Sequence, residues 1–318
     1  MKEISVIIPC YNCATLVRET LDSLANQTFQ NFEVVCVNDG STDETLSVLE
    51  QWKIQNVVQM QVITKENGGV SSARNAGIQA AEGKYLLFLD ADDLYHPEFI
   101  QRLLEAMTQS NADVAYCWLN RNKAILSADY KDVPTIKKTQ QQAMRDLLYC
   151  MERVGFYCYL YRKDWILREN LEFDVNTRRF EDREFNWKYL AHCKSAVLVD
   201  APLYFYRVTA NSATQKKTVH WRTDGLDAVL RIEKCLEEQG CDYLEEVKSY
   251  LFPRVIWAMA KNYALGSAKD AYKRLGKEYD VKACMRRTAK DNNKLVALAS
   301  RLYLIHPMLF YQIVRLKK

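Results

Sequence analysis

The chain has 318 residues, of which 48% are hydrophobic and 26% are charged, with a formal net charge of +4. This composition predicts a globular protein with a substantial core. Its N-terminus lacks the features of a secretory signal, and no run of about 18 apolar residues predicts a membrane-spanning helix. Ten cysteines without the spacing of a disulfide framework are expected to be reduced, small core residues.

The first half of the chain alternates apolar runs with helical patterns. Four runs rich in Val, Ile, Leu and Phe predict strands: ISVIIP (4–9), FEVVCVND (32–39), VQMQVIT (58–64) and KYLLFLD (84–90). Because these runs are apolar on both faces, they suit a sheet that is covered by helices. The β-α-β-α order predicts an α/β fold with a mostly parallel sheet flanked by helices.

Further elements are predicted along the chain. Ser41 and Glu44 have the spacing of a capping box, which predicts that the second helix begins at Ser41. Strand-like runs recur at 196–200 and 202–208, and helical patterns continue from about 220 to the end.

Polar clusters follow three of the predicted strands. They are PCYN (9–12), NDGS (38–41) and DADD (90–93). Sheets of this kind place their ligands beyond the carboxyl ends of the strands. We therefore expect the three clusters to meet at one edge of the sheet.

The acids of these clusters have two interpretations each. Asp90, Asp92 and Asp93 end a buried run, and hard carboxylate oxygens bind Mg²⁺ or Mn²⁺ ions that bridge nucleotide phosphates. The alternative is a solvated acidic turn that caps the next helix. Asp39 could accept a hydrogen bond from a base or ribose, or it could be an acid beside a helix N-terminus.

Two later segments also carry candidate residues. ENGGVSSARNAG (66–77) offers glycines for close backbone approach and Arg74 as a donor to a phosphate or base. The alternative is a small-residue helix packed tightly on the sheet. In FEDREF (180–185), Glu181 or Asp182 could be a general base, or the pair could be exposed acids at a helix start.

These segments, taken together, resemble the family 2 glycosyltransferases with the GT-A (Rossmann-like) fold. The resemblance spans residues 4 to 210 and rests on five segments in this order: VIIPCYN, VNDGSTD, ENGGVSSARNAG, LDADD and FED. It implies a catalytic domain over 1–215, with a nucleotide-binding half (1–115) and an acceptor half (116–215). A helical, basic C-terminal region (216–318) would follow.

The resemblance also implies roles for individual residues. Tyr11 would stack on a uracil-like base, Asp39 would bond the edge of that base, and Asp182 would deprotonate the acceptor hydroxyl with support from Glu181. The metal, Mn²⁺ or Mg²⁺, would be bound by Asp92 and Asp90. The nucleotide-sugar site would comprise Pro9, Tyr11, Asn12, Asp39, Gly69, Arg74, Asp90, Arg207 and Ser212. Asp93 has no assigned role.

The implied activity is an inverting, metal-dependent transfer of a sugar from a nucleotide donor, expected to be a UDP-sugar. The acceptor would be a hydroxyl of a glycan, and a lipid-linked intermediate of a bacterial surface polysaccharide is expected. The chain lacks the QxxRW pattern of processive members, which predicts a non-processive enzyme. The alternatives are a nucleotidyltransferase of the same fold and a catalytically silent scaffold that binds sugar nucleotides or glycans.

The C-terminal end of the chain is basic. From Arg254 onward there are 15 Lys and Arg against 4 Asp and Glu, a net charge of +11, so the preceding residues carry −7. An apolar stripe recurs at intervals of three or four residues: Leu295, Leu298, Leu302, Ile305, Leu309, Ile313 and Leu316.

Such a segment can lie on an anionic membrane surface, or it can pack on the body of the protein or in a homo-oligomer. No nucleic-acid recognition motif accompanies the charge, so a nucleic-acid partner is not expected. The expected location is cytoplasmic, peripheral at the inner face of the plasma membrane.

Overall fold

The computed structural model describes residues 2–150, 152–208 and 224–316. The described chain divides into two compact units. The first contains residues 2–150, 152–176 and 181–208, and the second contains 177–180 and 224–316. The domain boundary predicted near residue 215 lies outside the described residues.

Nine strands of the first unit form one sheet. Their bounds are β1 Ile4–Cys10, β2 Phe32–Asp39, β3 Gln59–Lys65, β4 Tyr85–Phe88, β5 Leu94–Tyr95, β6 Val114–Asn120, β7 Thr135–Thr139, β8 Tyr159–Arg162 and β9 Ser195–Phe205. The strand order is β3-β2-β1-β4-β8-β6-β9-β5, and β7 pairs with β9. The first four strands are parallel, as predicted, whereas β8 runs antiparallel to β4 and β6.

Seven helices of the described first unit accompany this sheet. They are α1 Val17–Ala25, α2 Thr45–Gln55, α3 Val70–Ala80, α4 Phe99–Ser110, α5 Gln140–Tyr149, α6 Lys163–Arg168 and α7 Glu181–His192. The predicted start of α2 at Ser41 is wrong. The Ser41 hydroxyl accepts a hydrogen bond from the Asn12 amide instead of capping the helix, and the Thr45 amide donates to Asp43.

Helix α3 packs tightly on the sheet because Gly77 has no side chain. A Cβ atom at Gly77 would lie 2.4 Å from Cγ2 of Ile7 in β1, a separation that real Cβ atoms do not reach. The small-residue interpretation of ENGGVSSARNAG therefore holds where α3 faces β1. This close approach sets the position of every other side chain on α3, including Arg74.

The second unit is helical. Its elements are α8 Asp224–Glu238, α9 Leu244–Leu265, α10 Lys269–Glu278, α11 Val281–Thr288, α12 Lys294–Ile305 and α13 Pro307–Arg315. Helix α9 contacts α8, α10, α11 and α13. In the part of the chain that the structure describes, no helix combines the length and apolar character needed to cross a membrane.

Candidate functional site

The carboxyl ends of β1, β2 and β3 lie level with one another. Cys10 pairs with Asn38 across β1 and β2, and Asp39 pairs with Lys65 across β2 and β3. The loop after β1 is fixed to the loop after β2, because the Oδ1 atom of Asn12 accepts a hydrogen bond of 2.8 Å from the Thr42 amide. The PCYN and NDGS clusters therefore share one edge, as the strand order predicts.

Asp39 is the buried acceptor at this edge, with 2% of its surface exposed. Its carboxylate accepts hydrogen bonds from Lys65 Nζ at 2.7 Å, from the Gly68 amide at 2.9 Å and from the Gly69 amide at 2.8 Å. Gly69 has a φ of +85°, a conformation that glycine adopts readily. Asp39 thus orders the loop before α3 and does not cap α2.

Two side chains of the PCYN cluster have exposed surface at the same edge of the sheet as Asp39. Tyr11 is 54% exposed, a large fraction for an aromatic residue, and Pro9 is half-buried. An exposed aromatic ring next to a buried acceptor can stack on a flat ring and leave its polar edge to the acceptor. Asn12, in contrast, uses its side chain within the loop.

Arg74 joins the second group of predicted residues. It is 4% exposed, and it donates from Nη2 to Asp90 Oδ1 at 2.9 Å and from Nη1 to Glu181 Oε1 at 3.4 Å. Its guanidinium carbon lies 4.3 Å from the centre of the Phe156 ring. Burial lowers the pKa of Arg74, but the carboxylates of Asp90 and Glu181 raise it by more, so the net shift is upward. One buried cation therefore holds the end of β4 and the start of α7 together.

The two acids at the start of α7 have different environments. Glu181 is buried, and burial together with the neighbouring charge of Asp182 raises its pKa to about 7, while Arg74 acts in the opposite direction. Asp182 is half-buried, and its Oδ1 atom accepts a hydrogen bond of 2.7 Å from the Arg183 amide. The residue before them, Phe180, has a φ of +76°, a strained conformation that is frequent at functional sites.

The DADD cluster forms a turn directly after β4. The Asp93 amide donates to the Asp90 carbonyl at 3.0 Å, and the Asp90 carboxylate is bound by Arg74. Burial and the charge of Asp90 raise the pKa of Asp92. No ion pair reaches the Asp92 carboxylate from the described residues. Within the described part of the chain, Asp92 is thus the half-buried acid of this turn without an ion pair, and the charge of Arg207 lowers its pKa only in part.

Arg207 reaches the same turn from the end of β9. Its Nε atom donates to the Asp92 carbonyl at 2.7 Å, and its Nη2 atom pairs with Glu19 of α1. Ser212, the other residue predicted in this segment, lies outside the described residues. Asp93 is buried behind the turn, where burial and the charge of Asp90 raise its pKa to about 8.

Several residues with contacts here were missed by sequence reasoning: Glu19, Lys65, Phe156 and Tyr204. For Lys65 a signal was available, since it ends the third strand in register with Asp39. The contacts of the others depend on segments that are far apart in the chain. Within the described residues, no cluster of three or more His, Cys, Asp or Glu side chains could hold a metal ion by itself.

Known proteins of similar sequence include two bacterial relatives. The uncharacterized glycosyltransferase EpsJ of Bacillus subtilis is 34% identical over 67% of this chain and 63% of its own length. The poly(ribitol-phosphate) beta-glucosyltransferase of Bacillus spizizenii is 31% identical over 64% of this chain and 32% of its own length. The chain thus spans less than two thirds of either relative.

Solved structures show the same fold at low sequence identity. Residues 1–349 of S. aureus TarS, in complex with UDP, superpose with a TM-score of 0.59 and 20% identity, covering 98% of this chain and 90% of that one. The mannosyltransferase PcManGT of Pyrobaculum calidifontis, in complex with GDP-Man and Mn²⁺, gives a TM-score of 0.56 and 16% identity over 96% and 87%. The predicted GT-A fold is confirmed.

The family resemblance is confirmed as well. The sequence profile of Glycosyl transferase family 2 matches residues 5–166, which is about half of the chain and includes four of its five characteristic segments. The chain therefore belongs to glycosyl transferase family 2.

Proposed function

We propose that this chain transfers a sugar from a nucleotide donor to a hydroxyl group of a glycan, with inversion at the anomeric carbon. The observation that carries the proposal is the position of Arg74, which binds Asp90 at 2.9 Å and Glu181 at 3.4 Å. Through this one side chain the acids after β4 lie beside the acids that begin α7. The transfer needs both sets of acids at a single site, the first near the leaving diphosphate and the second near the attacking hydroxyl.

The nucleotide would bind over residues 1–115. Tyr11 would stack on the base, and Asp39 would accept the N3–H hydrogen of uracil, because its carboxylate keeps a lone pair beyond its three hydrogen bonds. Because Asp39 would accept a hydrogen bond from uracil, the expected donor substrate is a UDP-sugar. S. aureus TarS was solved with UDP, which supports this assignment.

The residues present fit a divalent cation. Asp92 carries a carboxylate whose pKa is raised by burial and by Asp90, and a cation beside it would relieve both effects. Asp92, with Asp90, would hold Mn²⁺ or Mg²⁺ only together with the bound donor, since no cluster of three side chains in the described residues could hold an ion alone. When bound, the ion would neutralise charge on the departing diphosphate.

Asp182 would accept the proton of the acceptor hydroxyl. The hydroxyl oxygen would attack the anomeric carbon from the face opposite the diphosphate, and the bond between that carbon and the diphosphate oxygen would break. Asp182 is half-buried and open to an acceptor, whereas Glu181 is buried against Arg74. Glu181 would therefore orient the start of α7 and leave proton transfer to Asp182.

Nucleotide binding tests this proposal first. UDP at a hundred times its Kd is expected to add about 2.7 kcal/mol to the free energy of unfolding. Thermal denaturation with Mn²⁺ should show this as a raised Tm, and a chelator should remove much of the shift. Asp92→Ala should lose the part that depends on Mn²⁺, together with Mn²⁺-dependent donor hydrolysis. Equal stabilisation by NAD or ATP would contradict the assignment.

The acceptor would be bound over residues 116–215, and we propose a lipid-linked glycan of a bacterial surface polymer. The relative of Bacillus spizizenii is named for a glucosyl transfer to poly(ribitol-phosphate), which supports a surface polymer. A non-processive enzyme at the inner face of the plasma membrane would meet such an acceptor there.

The last two helices support a membrane contact. Six of the seven residues in the predicted apolar stripe are between 39% and 81% exposed: Leu295, Leu298, Ile305, Leu309, Ile313 and Leu316. From 294 to 318 the sequence has five Lys or Arg and no Asp or Glu. A second copy of this surface would bring like charges together, whereas anionic lipid would attract them. We therefore propose an anionic membrane surface as the partner.

Vesicle sedimentation checks the membrane contact. The chain is expected to sediment with phosphatidylglycerol vesicles and to be released by salt. Leu298→Glu with Ile305→Glu should weaken binding by about tenfold or more, because each side chain would lose roughly 1.5–3 kcal/mol of apolar burial. Leu230→Glu in α8, which is 45% exposed, is the matched control. A concentration-dependent dimer without vesicle binding would instead assign this surface to a second copy.

A further inference from the structure

We propose that Asp93 is a positioning residue that holds the end of β9 against the Asp90–Asp92 turn. The proposal rests on the proposed function, because the turn and Arg207 would lie at the diphosphate. Asp93 is the acid of the DADD cluster to which the family resemblance gives no role. Its surroundings differ from those of the other two acids.

The carboxylate of Asp93 faces the interior of the first unit. Only 1% of its surface is exposed, and both oxygens are occupied. Oδ2 accepts a hydrogen bond of 2.7 Å from the Tyr204 hydroxyl, and Oδ1 accepts one of 2.7 Å from the Arg207 amide. A carboxylate that is enclosed in this way acts on its two donors and is not presented to solvent or substrate.

Both donors come from the last part of the sheet. Tyr204 lies in β9 opposite Tyr95 of β5, and its ring stacks on Tyr157 with 4.4 Å between centroids. Its hydroxyl is thus held by a rigid aromatic layer.

Arg207 lies two residues after the end of β9. The amide of the preceding residue, Tyr206, still donates to the Asn120 carbonyl of β6 at 2.9 Å. The bond from the Arg207 amide to Asp93 extends this anchoring by one residue, to the backbone from which the Arg207 side chain starts.

Fixing the Arg207 backbone also fixes the turn itself. From this position the Arg207 side chain donates from Nε to the Asp92 carbonyl at 2.7 Å and pairs with Glu19. A closed set of contacts therefore runs from Asp93 to the Arg207 amide and back through the Arg207 side chain to Asp92. Residues 92 and 93 are held from both sides by one arginine.

Burying a carboxylate is unfavourable unless its hydrogen bonds are satisfied. An apolar residue would fill the same space without that cost, but it could not accept from a tyrosine hydroxyl and a backbone amide together. Asp93 therefore contributes by holding Asp92 and Arg207 in position. The charge of Asp93 is not itself required.

Three substitutions separate geometry from charge. Asp93→Asn can keep both contacts, since its carbonyl oxygen accepts from the Arg207 amide and its amide group donates to the Tyr204 oxygen. Asp93→Leu keeps the shape and removes both contacts, and Tyr204→Phe removes one. Initial rates of transfer to a sugar acceptor or water, and calorimetric binding of UDP with Mn²⁺, give the two measurements.

Asp93→Leu is expected to lower kcat/KM by about 10–100-fold, mainly through KM for the donor, as replacements of residues that support metal ligands do. Asp93→Asn should stay within about threefold of the unsubstituted chain, and Tyr204→Phe should lie between them. The calorimetric Kd for UDP should follow the same order. If Asp93→Leu does not fold, Tyr204→Phe and Asp93→Asn still decide the question.

Two results would overturn the role of Asp93. An Asp93→Asn variant as impaired as Asp93→Leu would show that the charge acts, and an unimpaired Asp93→Leu or Tyr204→Phe would show that the contacts have no effect. Neither result would contradict the proposed function. That proposal would fail only if the unsubstituted chain bound no nucleotide and transferred no sugar.

Discussion

Replacing Asp182 with Asn is expected to lower kcat by about 10²–10⁴-fold, because removal of a general base costs a factor of this size. The amide cannot accept the proton of the acceptor hydroxyl, yet it keeps the shape of the side chain and its hydrogen bond from the Arg183 amide. The Kd for the nucleotide sugar should change little. Steady-state rates and calorimetry measure the two quantities separately.

Asp132→Asn is the matched control for this variant, since Asp132 is exposed and lies in a loop before β7. It should retain the full rate. A kcat of Asp182→Asn within threefold of the control would remove Asp182 from the chemistry. Glu181 would then be the remaining acid of α7 positioned next to Arg74.

Replacing Arg74 with Met is expected to lower the free energy of unfolding by about 3–5 kcal/mol, the usual effect of breaking a buried ion pair from one side. The side chain is 5% exposed, and its loss would leave Glu181, which is 11% exposed, without its cation. The pKa of Glu181, already raised to about 7 by burial and Asp182, would rise further. Urea denaturation at pH 7 measures the change.

The double variant Arg74→Met, Glu181→Gln provides the internal test. Removing both members of the pair should cost less than the sum of the two single changes, because Glu181 no longer leaves a buried charge without a partner. The loss of the Arg74 bond to Asp90 is common to the single and the double variant. Arg168→Met is the control, since Arg168 is 59% exposed and surface pairs contribute about 0–1 kcal/mol. Strictly additive losses would mean that the pair with Glu181 contributes nothing, and that Arg74 stabilises the fold through Asp90 and its packing on Phe156.

The parts of the fold that could be predicted are those that a local pattern determines. Strand β2 has the predicted bounds, 32–39, because every residue in it is buried and the apolar run is continuous. The level ends of β1 and β2 follow from parallel pairing, so it could be expected before the structure was known that the PCYN and NDGS clusters share one edge of the sheet. The position of the DADD turn follows likewise from β4.

The contacts that could not be predicted join residues distant in the chain. Nothing in the sequence near Asp93 indicates Tyr204, which is 111 residues away, and Glu181 lies 107 residues from Arg74. Local patterns also mislead where a loop uses the same residue differently. Ser41 has the spacing of a helix cap but binds the Asn12 amide, since the loop after β1 competes for its oxygen.

The absent side chain of Gly77 has a consequence for Arg74, which lies one turn earlier on the same side of α3. Gly77 follows Arg74 by three residues and lies against Ile7. Even one methyl group there would force Ile7 or the helix to move. A displaced helix would carry the guanidinium away from Asp90 and Glu181. The position of the guanidinium therefore depends on a neighbouring residue of α3 that has no side chain at all.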